Sequence, residues 1–156
     1  MYLAPEFLKT VGYRLSRSLV NSNDLSSEEK LWRGVLINAI EDTMIKHSDR
    51  KNSIQKGSAH NWIVSNCTDF QSVCDWGDLD YEDVHYSYLL AIKHRRIRFT
   101  IRQVMWNKYY LFSKSIQAIK ESKVKRQYKG KIRQLRRAVV TSSTDFVSTL
   151  YTTVIS

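Results

Sequence analysis

The chain has 156 residues, 42% apolar and 12% aromatic, with 25 Lys and Arg against 15 Asp and Glu for a net charge of +10. This composition excludes a disordered chain, and the length suits one domain with a core of its own. The charge is segregated: sixteen cations fall between Lys93 and Arg137, where Glu121 is the only acid, so that this segment carries +15 while residues 1–92 carry −4.

No stretch approaches about 18 consecutive apolar residues, which excludes a membrane-spanning helix. Met1 to Leu8 has neither the basic start nor the apolar run of a secretory leader. Cys67 and Cys74 are the only cysteines, and they read as reduced thiols in a cytoplasmic protein. One Pro and five Gly argue against a turn-rich β fold and for long helices. The expectation is an all-α fold of about six helices.

In chain order, Phe7, Leu8, Val11, Leu15 and Leu19 predict a first helix from about Pro5 to Val20, with Pro5 in the first turn where its missing N–H is harmless. Ser26 and Glu29 form a capping-box pattern that opens a helix from Ser27 to about Ile45. Its expected apolar stripe is Leu31, Trp32, Val35, Leu36, Ala39 and Ile40, with Glu28, Glu29, Arg33 and Glu41 outside it. Lys46 to Gly57 is polar and aperiodic and reads as a loop. A short helix over Ser58–Asn66 offers Ala59, Trp62 and Ile63 to the core. Thr68 with Gln71 repeats the capping pattern before Phe70 and Val73. Gly77 to Asp80 is a tight turn, and Asp80 caps a helix through Val84, Tyr88 and Ala91.

Arg96 to Arg102 alternates basic and apolar residues, which fits a strand, a helix continuation or a connector. Helical periodicity resumes from Arg102 through Val104, Met105, Tyr109, Leu111, Phe112, Ile116 and Ile119. A last, basic helix spans about Ser122 to Val140 with Val124, Tyr128, Ile132 and Leu135 as its apolar line. Residues 141–156 are rich in Thr, Ser and Val, either a β-prone segment packed on the domain or a loose end. The expected organisation is a helical core module at 1–92, a basic helical arm packed on it at 93–140, and a Thr/Ser-rich tail at 141–156.

Two features carry functional chemistry. The first is a helix-turn-helix outline between Phe70 and about Leu90, with Leu79 as the core plug of the turn. Acids at Asp75, Asp78, Asp80, Glu82 and Asp83 beside the second helix repel phosphates, and a plain helical corner uses the same residues. The second is the basic block. Arg95, Arg96, Arg98 and Arg102 form one cluster; Lys123, Lys125, Arg126, Lys129, Lys131, Arg133, Arg136 and Arg137 form another. So many like charges repel one another unless a polyanion neutralises them. Interleaved Trp106, Tyr109, Tyr110 and Tyr128 are candidates for stacking on bases. The bland reading of the same block is a solvated helix face.

His60, Cys67, Cys74 and His85 lie in one region but lack the spacing of a zinc site. The acidic cluster is better read as a capped turn than as a Mg²⁺ site, and the chain has no Walker loop, no Gly-x-Ser-x-Gly and no HExxH. No catalytic residue, metal or cofactor is therefore expected.

The order Leu31–Trp32–x–x–Val35–Leu36 with Ala39, then Ala59–x–x–Trp62, then Asp69–Phe70–x–x–Val73–Cys74–x–x–Gly77–x–Leu79–Asp80–x–x–x–Val84, covers residues 28–90. It resembles small helical proteins encoded in proteobacterial prophages and related elements, whose usual turn is Ala-Gly-Leu-Asp where this chain has Gly77–Asp78–Leu79–Asp80. That resemblance implies a setting and a fold, and brings no catalytic residues. The leading expectation is a non-enzymatic, cytoplasmic nucleic-acid-binding protein of the prophage regulator type. DNA ranks ahead of RNA, and the twelve Lys and Arg residues above contact phosphates. The alternative is an adaptor docking its basic arm on an acidic protein partner.

Overall fold

The computed structural model describes residues 24–147, and the predicted helix at 5–20 and the tail from residue 148 lie outside them. Six helices are present among the described residues: α1 (Ser27–Asp42), α2 (Arg50–Val64), α3 (Thr68–Trp76), α4 (Tyr81–Lys93), α5 (Ile101–Gln117) and α6 (Ser122–Thr141). The fold is all-α. The only β pairing among these residues is an isolated antiparallel bridge between Thr100 and Phe146.

The capping box of α1 forms in both directions: the Glu29 amide donates to Ser26 Oγ at 3.1 Å, and the Ser26 amide donates to Glu29 Oε2 at 2.7 Å. The helix is rotated from its predicted orientation. Leu31 is 63% exposed, while Arg33 is only 6% exposed and Ile37 is also buried. Arg33 turns inward because its guanidinium has work there: Nε donates to the Gly77 carbonyl at 2.6 Å and an Nη to the Asp78 carbonyl at 3.2 Å. It thereby satisfies carbonyls at the end of α3 that the helix itself leaves open.

The loop expected at 46–57 is mostly helix. Asp49 is the N-cap of α2, accepting from the Asn52 amide, and the helix runs unbroken to Val64. Its buried face is Ser53, Lys56, Gly57, His60 and Ile63, a helical period written mainly in polar and small residues. Apolar periodicity was therefore the wrong signal. Each member solves a local problem. Gly57 faces Asn107 so closely that a Cβ there would collide with the carboxamide. Asn107 Nδ2 donates to the Ser53 and Gln103 carbonyls at 2.8 and 2.9 Å, and His60 Nδ1 pairs with the Tyr88 hydroxyl at 2.8 Å.

Cys67, not Thr68, is the N-cap of α3, with no side-chain cap bond. Gln71 reaches back to the Asn66 carbonyl instead. Phe70, Val73 and Cys74 are buried as expected. In the turn to α4, the left-handed residue is Asp78 (φ 54°). Leu79 plugs the core, and Asp80 caps α4 by accepting from the Glu82 amide at 2.9 Å.

The main core gathers Leu36, Ile63, Phe70, Tyr88, Ile97, Phe99 and Val104. Segment 94–100 is a connector whose alternation is real: Ile97 and Phe99 point inward while Arg96 and Arg98 point out. A second capping box, Thr100 with Gln103, opens α5. The described part of the Thr/Ser-rich tail packs on the domain. The Ser143 and Asp145 carbonyls accept from the first amides of α5, and the Val147 amide donates to the Phe99 carbonyl.

Candidate nucleic-acid interface

Helix α6 carries eight of the charges. Lys, Arg, Gln and Leu are good helix formers, and a stripe of Val124, Tyr128, Ile132 and Leu135 is half-buried, with Val139 fully buried at its end. The stripe closes on α5 through Met105, Trp106 and Tyr109. With the apolar line held inward, helical geometry sends Lys125, Arg126, Lys129, Arg133, Arg136 and Arg137 into about a third of the circumference, over a length of about 18 Å. Five of the six are exposed, and Lys125 is half-buried. Lys123 and Lys131 emerge on the other flank, Lys131 lying 5.2 Å from the Tyr128 ring. Glu121 is the only acid in the surrounding sequence. The stripe is thus a near-continuous row of cations on a helix that contains no acid of its own.

The second predicted cluster divides. Arg95 and Arg96 are exposed beyond the end of α4. Arg98 stacks its guanidinium 4.2 Å from the centre of the Phe146 ring. Arg102 is half-buried and commits an Nη to the Ser142 and Val140 carbonyls at 2.7 and 3.3 Å, so it closes the C-terminal end of α6 in addition to carrying charge.

The aromatic residues change role. Trp106 and Tyr109 are buried and meet edge to face at 5.6 Å in the α5–α6 seam, so they serve as packing groups, Trp106 also contributing to the lining of the cleft beside Phe146. Tyr128 meets Phe112 edge to face at 6.1 Å, and Tyr110 lies under Lys114. The exposed aromatic beside the basic residues is Phe146, 47% exposed.

Phe146 lines a cleft of about 630 Å³ together with Lys46, Arg50, Thr100, Arg102 and Val140. His47 and Asp49 stand on the same rim. Val140 also borders a smaller groove formed by Arg133, Arg136 and Arg137. Cleft and helix stripe therefore adjoin. Lys46, Arg50 and Phe146 were not among the residues singled out from sequence. Lys46 and Arg50 sat in what read as a loop, and Phe146 in a tail without periodicity, so no local pattern marked them.

The α3–α4 corner has the lengths of a helix-turn-helix, but its chemistry faces the other way. The exposed side of α4 presents Glu82, Tyr86, Leu89 and Lys93. Asp75, Asp78, Asp80 and Glu82 line a hollow at the start of that helix, where they repel a phosphate backbone.

Both histidines of the region are otherwise engaged. His60 pairs with Tyr88, and His85 Nε2 meets the Val64 carbonyl at 3.0 Å. Cys67 and Cys74 are free thiols. Burial, with Asp75 and Asp80 nearby, pushes the Cys74 thiol up to about 12, which leaves it unreactive. Among the described residues, no group of three or more His, Cys, Asp or Glu converges to hold a metal ion, and no helix is long and apolar enough to cross a membrane.

Comparison of the chain with protein-family models, with curated proteins and with solved structures finds no match.

Proposed function

We propose that this protein is a non-enzymatic nucleic-acid-binding protein that holds a phosphate backbone along α6. The observation that carries the reading is the α6 surface: six cations on one side of a single helix that contains no acid, its apolar side spent on α5. A merely solubilising face scatters charges of both signs, whereas a row of one sign repels itself until a polyanion lies along it. The arm and not the α3–α4 corner is the contact surface in this proposal, because the acids at the start of α4 disfavour phosphate. A regulatory role of the prophage type rests on the motif resemblance alone.

The test is fluorescence anisotropy with labelled duplex DNA and single-stranded RNA across a salt series. The wild type is compared with a variant carrying Arg126→Ala, Lys129→Ala, Arg133→Ala and Arg137→Ala. Loss of four phosphate contacts lowers the slope of log affinity against log salt by about 3.6 for duplex DNA and about 2.8 for a single strand. Absence of binding to both polymers at low salt would sink the proposal, and an acidic protein partner for the arm would then be sought.

A further inference from the structure

We infer that the cleft beside the C-terminal end of α6 takes one unpaired nucleotide of a strand whose backbone lies on that helix. The preferred partner is accordingly single-stranded nucleic acid, and duplex is secondary. This deepens the phosphate-binding reading of α6 and rests on it.

Four observations support the inference. The cleft, about 630 Å³, has the size of a small-molecule site and joins the cations Lys46 and Arg50 to an apolar lining of Phe146, Val140 and the buried Trp106. A duplex presents phosphates and base edges but keeps its base faces stacked inside; an apolar surface between cations suits the exposed face of an unpaired base with its own phosphate. Phe146 is held ready for stacking, since Arg98 braces the ring at 4.2 Å and the Thr100–Phe146 bridge fixes its backbone. Arg102 lies in the wall with a buried Nε–H that has no hydrogen-bond partner.

The path of the strand follows from shared residues. Val140 belongs both to the cleft and to the groove of Arg133, Arg136 and Arg137, so a backbone leaving the end of α6 meets the cleft directly. Among the described residues, Asp49 is the one acid on the rim, and it is occupied as the cap of α2. The Asn52 side chain and amide hydrogen-bond it and hold its carboxyl below the usual range. Its charge opposes a phosphate placed beside it, which favours phosphate on the Lys46 and Arg102 sides.

The experiment compares a labelled single strand with a blunt duplex of the same sequence, using wild type, Phe146→Ala, Phe146→Tyr and the four-fold α6 variant. The expected result is tighter single-strand binding by the wild type. Phe146→Ala weakens it about tenfold without changing duplex affinity, and Phe146→Tyr restores it. The α6 variant weakens both polymers. Equal wild-type affinities with a silent Phe146→Ala would overturn the inference while leaving the α6 reading intact. A second measurement separates the two readings fully: adenosine monophosphate is titrated into ¹⁵N-labelled wild type. Shifts of amides at 46–50 and 144–146 uphold the cleft even if neither polymer binds, and no shifts there reject it.

Discussion

Lys56 offers the sharpest physical test of the fold. Its side chain is 2% exposed, and Nζ donates to the carbonyls of Ile45 at 2.7 Å and Arg98 at 2.5 Å and to Gln103 Oε1 at 3.1 Å. The Phe99 ring lies 4.7 Å away. These neighbours are neutral dipoles and a π face, with no carboxylate among them. Burial therefore dominates, and with the Arg98 charge nearby it pulls the ammonium down from 10.5 to about 8. Between those values the unfolded chain binds more protons than the folded one, so stability rises with pH across this window. The gain is about 3 kcal/mol between pH 7 and pH 11, at up to about 1.4 kcal/mol per unit.

Cys74 works in the opposite sense. Its raised thiol contributes stability that is present below about pH 9 and lost as the pH climbs toward about 12. The clean measurement is therefore a difference. Urea unfolding of wild type and Lys56→Met is followed from pH 7 to pH 10.5, and the stability of the variant is subtracted, which removes Cys74 and Tyr88 from the comparison. At pH 7 the two proteins lie close together. Methionine avoids the desolvated charge but leaves the Arg98 carbonyl without this donor, at a cost of about 1–3 kcal/mol, while the Ile45 carbonyl keeps Gln103 Nε2. The wild type then gains on the variant as the pH rises. A difference flat from pH 7.5 to pH 10 would refute the argument, because it would mean that Lys56 titrates as a solvated lysine.

Other substitutions test other parts of the structure. Gly57→Ala drives a methyl into the Asn107 carboxamide and displaces its bonds to Ser53 and Gln103, so it should cost about 3 kcal/mol in urea unfolding. Gly130→Ala meets nothing within 4 Å, and it should stabilise by about 0.5–1 kcal/mol and raise the melting temperature, because an exposed helix interior favours alanine. Half-buried Cys67 should react with a disulfide reagent in the native protein, and Cys74 only at the rate of unfolding; fast, equal labelling would contradict the buried thiol.

The helices with strong local signals were legible from sequence. Ser26–Glu29 and Asp80 mark their helix starts through side chains that reach their own backbone within three residues, so no distant partner is needed. The apolar line of α6 was legible for the same reason, since the line repeats along one helix. Helix α2 was not. Its buried face is Ser53, Lys56, Gly57 and His60, and these residues tolerate burial only because Asn107, Gln103 and Tyr88 arrive from α4 and α5. The orientation of α1 was hidden likewise, because Arg33 is inward only in the presence of the α3 carbonyls.

The candidate interface divides along the same line. By itself the sequence determined that the positive charge is concentrated in one segment and that the part of it from Arg102 on is mostly helical, since charge and periodicity are local properties of the chain. Only the tertiary structure decided that Trp106 and Tyr109 are core and that Arg102 closes α6. It also brought Lys46 and Arg50 to Phe146 across a cleft. Those assignments depend on contacts between residues from about 25 to 100 positions apart in the chain, among them the bonds from the α5 amides to the Ser143 and Asp145 carbonyls that hold the far segment in place.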